Sequence, residues 1–166
     1  NILTNALNTT DVLLVHSGYT KYRRELLESG VHLYELKLRG GVTPESETQL
    51  KPLGLSGASL HAKTFAVDDK RVFIGSFNFD PRSASLNSEV GLVVESEQLQ
   101  NDISQALNQY LPQIAYQLKL NERNEIIWLD HQQDGSVKEH KTDPDTTGFQ
   151  RFAMKTVSYL PVEWMM

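Results

Sequence analysis

Cysteine is absent from the 166 residues, which rules out disulfides and cysteine-ligated metal sites and suits a reducing compartment. No apolar run approaches the length of about 20 residues that a membrane-spanning helix needs. Positive charge is also in short supply. Sixteen Lys and Arg stand against 21 Asp and Glu, a formal net charge of −5, which argues against a broad basic surface gripping nucleic acid and leaves room only for a local basic site. The chain opens on Asn1-Ile2-Leu3-Thr4-Asn5, with neither a Met nor a basic stretch ahead of an apolar one, and so reads as cut from something longer. Internal repeats and low-complexity segments are missing too. What remains, 39% hydrophobic residues over this length, is one globular domain with a sizeable core.

Chemistry concentrates between His61 and Glu89. His61, Lys63, Asp68, Gly75, Ser76 and Asn78 lie at fixed offsets in a strand, turn, strand pattern. Alternation along Leu60 to Val67 puts His61 and Lys63 on one face, with Phe65 and Val67 beyond them. Asp68, Asp69 and Lys70 form the turn, and Arg71 to Ile74 returns as an apolar strand ending at Gly75-Ser76, bringing Ser76 and Asn78 back beside His61 and Lys63. A histidine can attack or protonate, a lysine can neutralise an oxyanion, and Ser and Asn can donate hydrogen bonds to it. Gly75 leaves room for a phosphate to approach the backbone. Such a set suits a site that cleaves or exchanges phosphodiesters, with no metal required.

The spacing His-x-Lys, four residues, Asp, six residues, Gly-Ser-x-Asn resembles the HKD signature of the phospholipase D superfamily. Chance assembly of six fixed residues is on the order of one in tens of millions per start position. Asp80 and Glu89, the latter in Asn87-Ser88-Glu89, fit the acidic positions that follow the motif; each could orient the histidine or anchor the next loop. Asp68 belongs to the motif, yet its family counterpart is mainly structural, and a turn-capping Asp is also the reading of the residues alone. Tyr22 to Val31 and Tyr159 to Glu163 are similar to segments of bacterial cardiolipin synthases, the latter to their C branch.

The resemblance implies an α/β fold, a phospholipase D-like α/β/α sandwich around a mixed central sheet. Residues 1–166 would be a single HKD domain, the C-terminal half of a longer two-motif chain. The second motif would come from the same chain or from a homodimer partner, because each active site needs two histidines. The implied activity is phosphatidyl transfer through a phosphohistidine, with phospholipase D hydrolysis or a dimeric HKD endonuclease as alternatives and a non-catalytic assembly domain as a further one. The catalytic set would be His61, as acid and base, with Lys63, Asp68 and Asn78; Lys63, Ser76 and Asn78 would bind phosphate; Gly75, Asp80 and Glu89 would support them. The substrate would be a phospholipid such as phosphatidylglycerol or phosphatidylethanolamine, at the cytoplasmic face of a bacterial inner membrane, with no cofactor, no metal and no nucleic acid.

Elsewhere, Asp11 to Val15 reads as a buried strand leading to His16, followed by a helix over Thr20 to Ser29 closed by Gly30 and a strand over Val31 to Leu36, a βαβ unit. His16, at the end of that strand, is either a ligand position or a buried structural histidine. Lys37 to Ser59 reads as a long loop, a lid or a connector, in which Arg39 and Lys51 could meet a head group. Ser88 to Glu95 reads as a strand, Ser96 to about Lys119 as an amphipathic helix that Pro112 ends or bends, and Ile126 to Leu129 with Val137 to Lys141 as a hairpin. A last helix should present Phe149, Phe152, Ala153, Val157 and Leu160 on one face, against the sheet or a lipid surface, capped by Trp164-Met165-Met166.

Overall fold

The computed structural model describes residues 1–10, 13–37, 55–56, 59–60, 63–77 and 87–158, excepting the side chains of 13–15, 55–56 and 59. Strand β1 (Ile2–Asn5) leads to helix α1 (Leu13–Glu28), and the chain returns as β2 (Leu33–Leu36), parallel to β1 with Asn5 opposite Leu36. The βαβ unit therefore stands, but its first strand is Ile2–Asn5, and residues 13–15 open the helix. A short run of four apolar residues fits a buried strand and a buried helix equally well. The longer spacing of His16, Tyr19, Arg23, Leu26 and Leu27 is that of one helical face. Gly30, at φ +82°, closes α1: its N–H donates to Leu27 O and that of Val31 to Leu26 O, the paired bonds of a left-handed C-terminal cap.

Helix α2 (Glu97–Ile114) starts where Ser96 Oγ accepts the Leu99 N–H at 3.2 Å. It stops earlier than its pattern suggests. Pro112 cannot donate to the preceding turn, the chain leaves the helix at Ala115, and Ala115–Leu120 becomes β8 instead of a continued helix. The Lys37 ammonium seals that end, donating to Pro112 O and Gln113 O at 3.4 and 3.2 Å and pairing with Asp130 at 2.5 Å.

Strand β8 lies at the centre of a five-stranded mixed sheet of order β1-β2-β8-β9-β10, with β9 (Ile126–His131) and β10 (Val137–His140) forming the expected hairpin around Gly135. Period-two alternation gives each face its own core. Leu33, Tyr116, Leu118 and Trp128 pack with Leu26 and Leu27 of α1 on one face; Leu36 and Ala115 pack with Ile103, Tyr110, Leu111 and Ile114 of α2 on the other. Helices on both faces of a mixed sheet give the α/β/α layering that the sequence led us to expect.

Two short pieces, β3 (Leu55–Ser56) and β4 (Ser59–Leu60), pair antiparallel, so the end of the expected loop folds as a small hairpin. Arg39 and Lys51 lie outside the described residues. Helix α3 (Gly148–Ser158) packs chiefly on α1. Its buried residue is Met154, while Phe149 and Phe152 are 79% and 69% exposed, so these two rings do not face the sheet as one reading of the sequence had it. Residues 159–166 lie outside the described residues.

Candidate active site

Strands β5 (Lys63–Val67), β6 (Arg71–Gly75) and β7 (Gly91–Glu95) form a separate three-stranded antiparallel sheet. Its register puts Lys63 opposite Gly75 and Gly75 opposite Gly91. Lys63, Phe65 and Val67 therefore share one face with Phe73 and Val93, and Thr64, Val72, Ile74 and Val94 share the other. The second face is anchored by Val72, which is fully buried in the core beneath α2. The polar-to-apolar gradient expected along this strand is present from Lys63 onward.

Ser76 follows β6 directly, at the Lys63 end of the hairpin. Its N–H donates to Val90 O at 2.9 Å, its hydroxyl donates to Glu89 Oε2 at 2.5 Å, and the Val90 N–H donates back to Oγ at 3.1 Å. A hydroxyl has one proton, so Ser76 reaches a phosphate as donor only by releasing Glu89. Glu89 thus touches a motif residue, and the touch is with Ser76. Gly75 also has a packing role. A Cβ there would sit 2.6 Å from Val90 O and 2.7 Å from Phe73 Cζ, and a Cβ at Gly91 would sit 2.3 Å from Phe73 Cε2. The two glycines make the space into which the Phe73 ring folds, stacked on Phe65 at 4.6 Å. Packing of the aromatic pair requires both glycines.

Asp68 sits at the opposite end of the hairpin, about 17 Å from Lys63 at roughly 3.3 Å per strand residue. It has φ +56° in the turn, followed by Asp69 at +54°, and its carboxylate pairs with Arg71. The turn is docked on α2, with Ser96 N donating to Lys70 O at 2.7 Å. The Asp68 carboxylate is thus engaged within the turn itself. His61, Asn78 and Asp80 lie outside the described residues.

A second cluster of charge, read only in part from the sequence, lies beneath α1. Arg23 pairs with Glu35 at 2.7 Å and with Asp143 at 3.0 Å; Trp128 Nε1 and Tyr19 OH donate to Glu35 at 2.9 and 3.1 Å. Glu35 is wholly buried, and burial pushes its carboxyl up against the opposing pull of Arg23 and the Trp128 N–H. Burial would lower the Arg23 guanidinium, but Glu35 and Asp143 outweigh it and hold it charged. His16 Nε2 lies 3.1 Å from Arg23 Nη2, and since guanidinium only donates, that nitrogen must accept. Burial first and Arg23 second depress His16 to about 3, so it is a neutral structural histidine. Its strand-end position was an artefact of reading the first turn of α1 as a strand. The pairing of Arg23 with Glu35 could have been suspected from charges sitting at core-facing positions of α1 and β2.

A family model described as "Cardiolipin synthase, PLD-like domain" matches residues 1–111. The chain is 46% identical over 168 residues to cardiolipin synthase C of Escherichia coli (strain K12), covering 99% of this chain and 34% of that protein. An uncharacterized protein of Helicobacter pylori (strain ATCC 700392 / 26695) is 32% identical over 161 residues, 97% of this chain and 30% of its own. Cardiolipin synthase A of Yersinia pseudotuberculosis serotype O:1b (strain IP 31758) is 27% identical over 105 residues, 63% of this chain and 18% of its own. The chain thus spans about a third or less of the curated relatives it matches, and no solved structure matches it. With the motif spacing, the hairpin register and a matched family model in agreement, the chain belongs to the phospholipase D-like domain family of the cardiolipin synthases.

Proposed function

We propose that this chain is one half of a phosphatidyltransferase site that makes cardiolipin-type lipids through a covalent phosphohistidine. The observation that carries the reading is the complete His61, Lys63, Gly75-Ser76, Asn78 spacing, folded so that Lys63 and Gly75 are cross-strand partners. A histidine of a second HKD motif attacks phosphorus. The P–N bond forms, the P–O bond to the head-group alcohol breaks, and His61 gives its proton to the leaving oxygen. In the second step His61 takes the proton of an incoming phosphatidylglycerol hydroxyl, whose oxygen bonds to phosphorus as the P–N bond breaks. Lys63 offsets the charge of the phosphoryl oxygens, with Asn78 and Ser76 as donors.

The second motif comes from another part of a longer chain or from a second copy. Support for a covering partner is the face of the β5–β7 sheet that carries Lys63, on which Phe65, Val67 and Val93 are exposed. No described helix is long and apolar enough to cross a membrane, and attachment in this reading is peripheral, at the cytoplasmic side of an inner membrane. The test is mass spectrometry of lipids after incubating the full-length protein that carries this chain with phosphatidylglycerol, with and without phosphatidylethanolamine, in chelator. Cardiolipin that is lost in His61→Ala supports transfer. Phosphatidic acid alone would assign a hydrolase, and cleavage of nucleic acid with no lipid product would assign an endonuclease.

A further inference from the structure

The Asn5 side chain makes a contact that the motif does not explain. Asn5 is the last residue of β1, paired through its backbone with Leu36, so it belongs to the rigid five-stranded sheet. Its carboxamide reaches 55 residues along the chain to the backbone of Leu60: Nδ2 donates to Leu60 O at 3.0 Å, and Leu60 N donates to Oδ1 at 2.8 Å. Two reciprocal bonds of this kind are what a neighbouring strand would supply, and the carboxamide replaces that strand with one side chain. Strand β4 needs it, having only two residues and, as its ladder partner, a strand equally short. Leu60 also packs against the core beneath α2.

Leu60 is the residue before His61. Its carbonyl belongs to the planar peptide group whose nitrogen is that of His61, so fixing the oxygen fixes the direction in which the chain leaves. Two residues later Lys63 is fixed again by its pairing with Gly75. In sequence, His61 lies between these two anchors, one of which is made by the Asn5 carboxamide. We propose that Asn5 is a positioning residue for His61, holding the acid and base in register with the phosphodiester; this rests on the role given to His61 above. A misplacement of about 1 Å at a reacting group can cost on the order of 100-fold in rate.

The test compares two substrates with the full-length protein. Phosphatidylglycerol must have its leaving alkoxide protonated, whereas phosphatidyl-p-nitrophenol leaves as a stable phenolate and needs little acid catalysis. Asn5→Asp keeps the shape but replaces the Nδ2 donor with an acceptor facing Leu60 O. It should slow first-turnover release of glycerol by roughly 10- to 100-fold and release of p-nitrophenolate by less than about 5-fold, with little change in KM. Asn5→Gln, which keeps both bonding groups on a longer stem, should show the same selectivity with a smaller loss. The ratio of the two rates in one preparation is independent of how much protein is folded. Equal losses on both substrates, no loss on either, or failure of both variants to yield folded protein would overturn the positioning role and leave Asn5 to the fold. His61→Ala is the separate control: if it shows no preference between leaving groups, the acid role of His61 fails by itself, whatever Asn5 does.

Discussion

Replacing Arg23 with methionine removes the only guanidinium among the described residues that lies beside the fully buried Glu35 carboxylate. At 2.7 Å, and with an effective dielectric of about 20, the attraction lost is roughly 6 kcal/mol, against which must be set the desolvation that Arg23 no longer suffers. Buried pairs broken from one side cost about 3–5 kcal/mol in net stability, and that is the loss expected in urea unfolding of Arg23→Met near neutral pH. Arg23 also lies 5.3 Å from the ring centres of both Tyr19 and Trp128, contacts that a methionine only partly replaces. Glu35→Gln keeps an acceptor for Trp128, so the double variant should recover about 2 kcal/mol or more relative to the sum of the single losses. The pH dependence has a definite sign. Without Arg23 the Glu35 pKa rises further above its unfolded value, so the variant keeps its stability below the unfolded pKa and loses it as pH climbs through the folded one. The deficit against the parent should therefore grow from acid to neutral pH. A loss under about 1 kcal/mol, an additive double variant, or a deficit that does not change with pH would refute the buried-pair account.

His16, held at about 3 when folded, stays neutral where the unfolded chain takes up a proton below 6.5. Its contribution is complete above pH 6.5 and falls as pH drops from there toward 3, by up to roughly 5 kcal/mol, so His16→Phe or His16→Leu should flatten the acid limb of a stability profile measured by urea unfolding. Gly75→Ala, which crowds Phe73 and a backbone carbonyl, should cost about 1–3 kcal/mol by thermal or urea unfolding; a neutral result would show that the Phe73 ring moves aside freely. Ser96→Ala should cost about 1 kcal/mol through loss of the α2 cap, with increased hydrogen exchange at the Leu99 amide as its local signature.

Much of this was legible in the sequence because it rests on local chemistry. The motif spacing needs no tertiary information, the β5–β6 hairpin is fixed by alternation and a polar turn, and Ser96, Gly30 and Gly135 mark their elements as capping and turn residues do. What was not legible depends on neighbours. Asp11 to Val15 has the composition of a buried strand, and only α1's later core-facing residues show where the helix begins. Residues 115–120 continue an amphipathic spacing that satisfies a helix, and their place at the centre of the sheet is set by β2 and β9, which pair with them from distant sequence. Phe149 and Phe152 carry the pattern of a buried face, but Met154 meets the fold instead. The Phe73 ring that Gly75 accommodates lies two residues away, and its fold over the glycine is set by the sheet and not by the local sequence.

The central claim, transfer by two displacements at an HKD site, is tested most directly by stereochemistry at phosphorus. The full-length protein would be given a phosphorothioate analogue of phosphatidylglycerol of known configuration together with an isotopically labelled alcohol acceptor, and the configuration of the exchanged product determined. Two in-line displacements through a phosphohistidine predict net retention. Net inversion would mean that acceptor attacks phosphorus directly, and the covalent mechanism built on His61 and its partner histidine would be wrong.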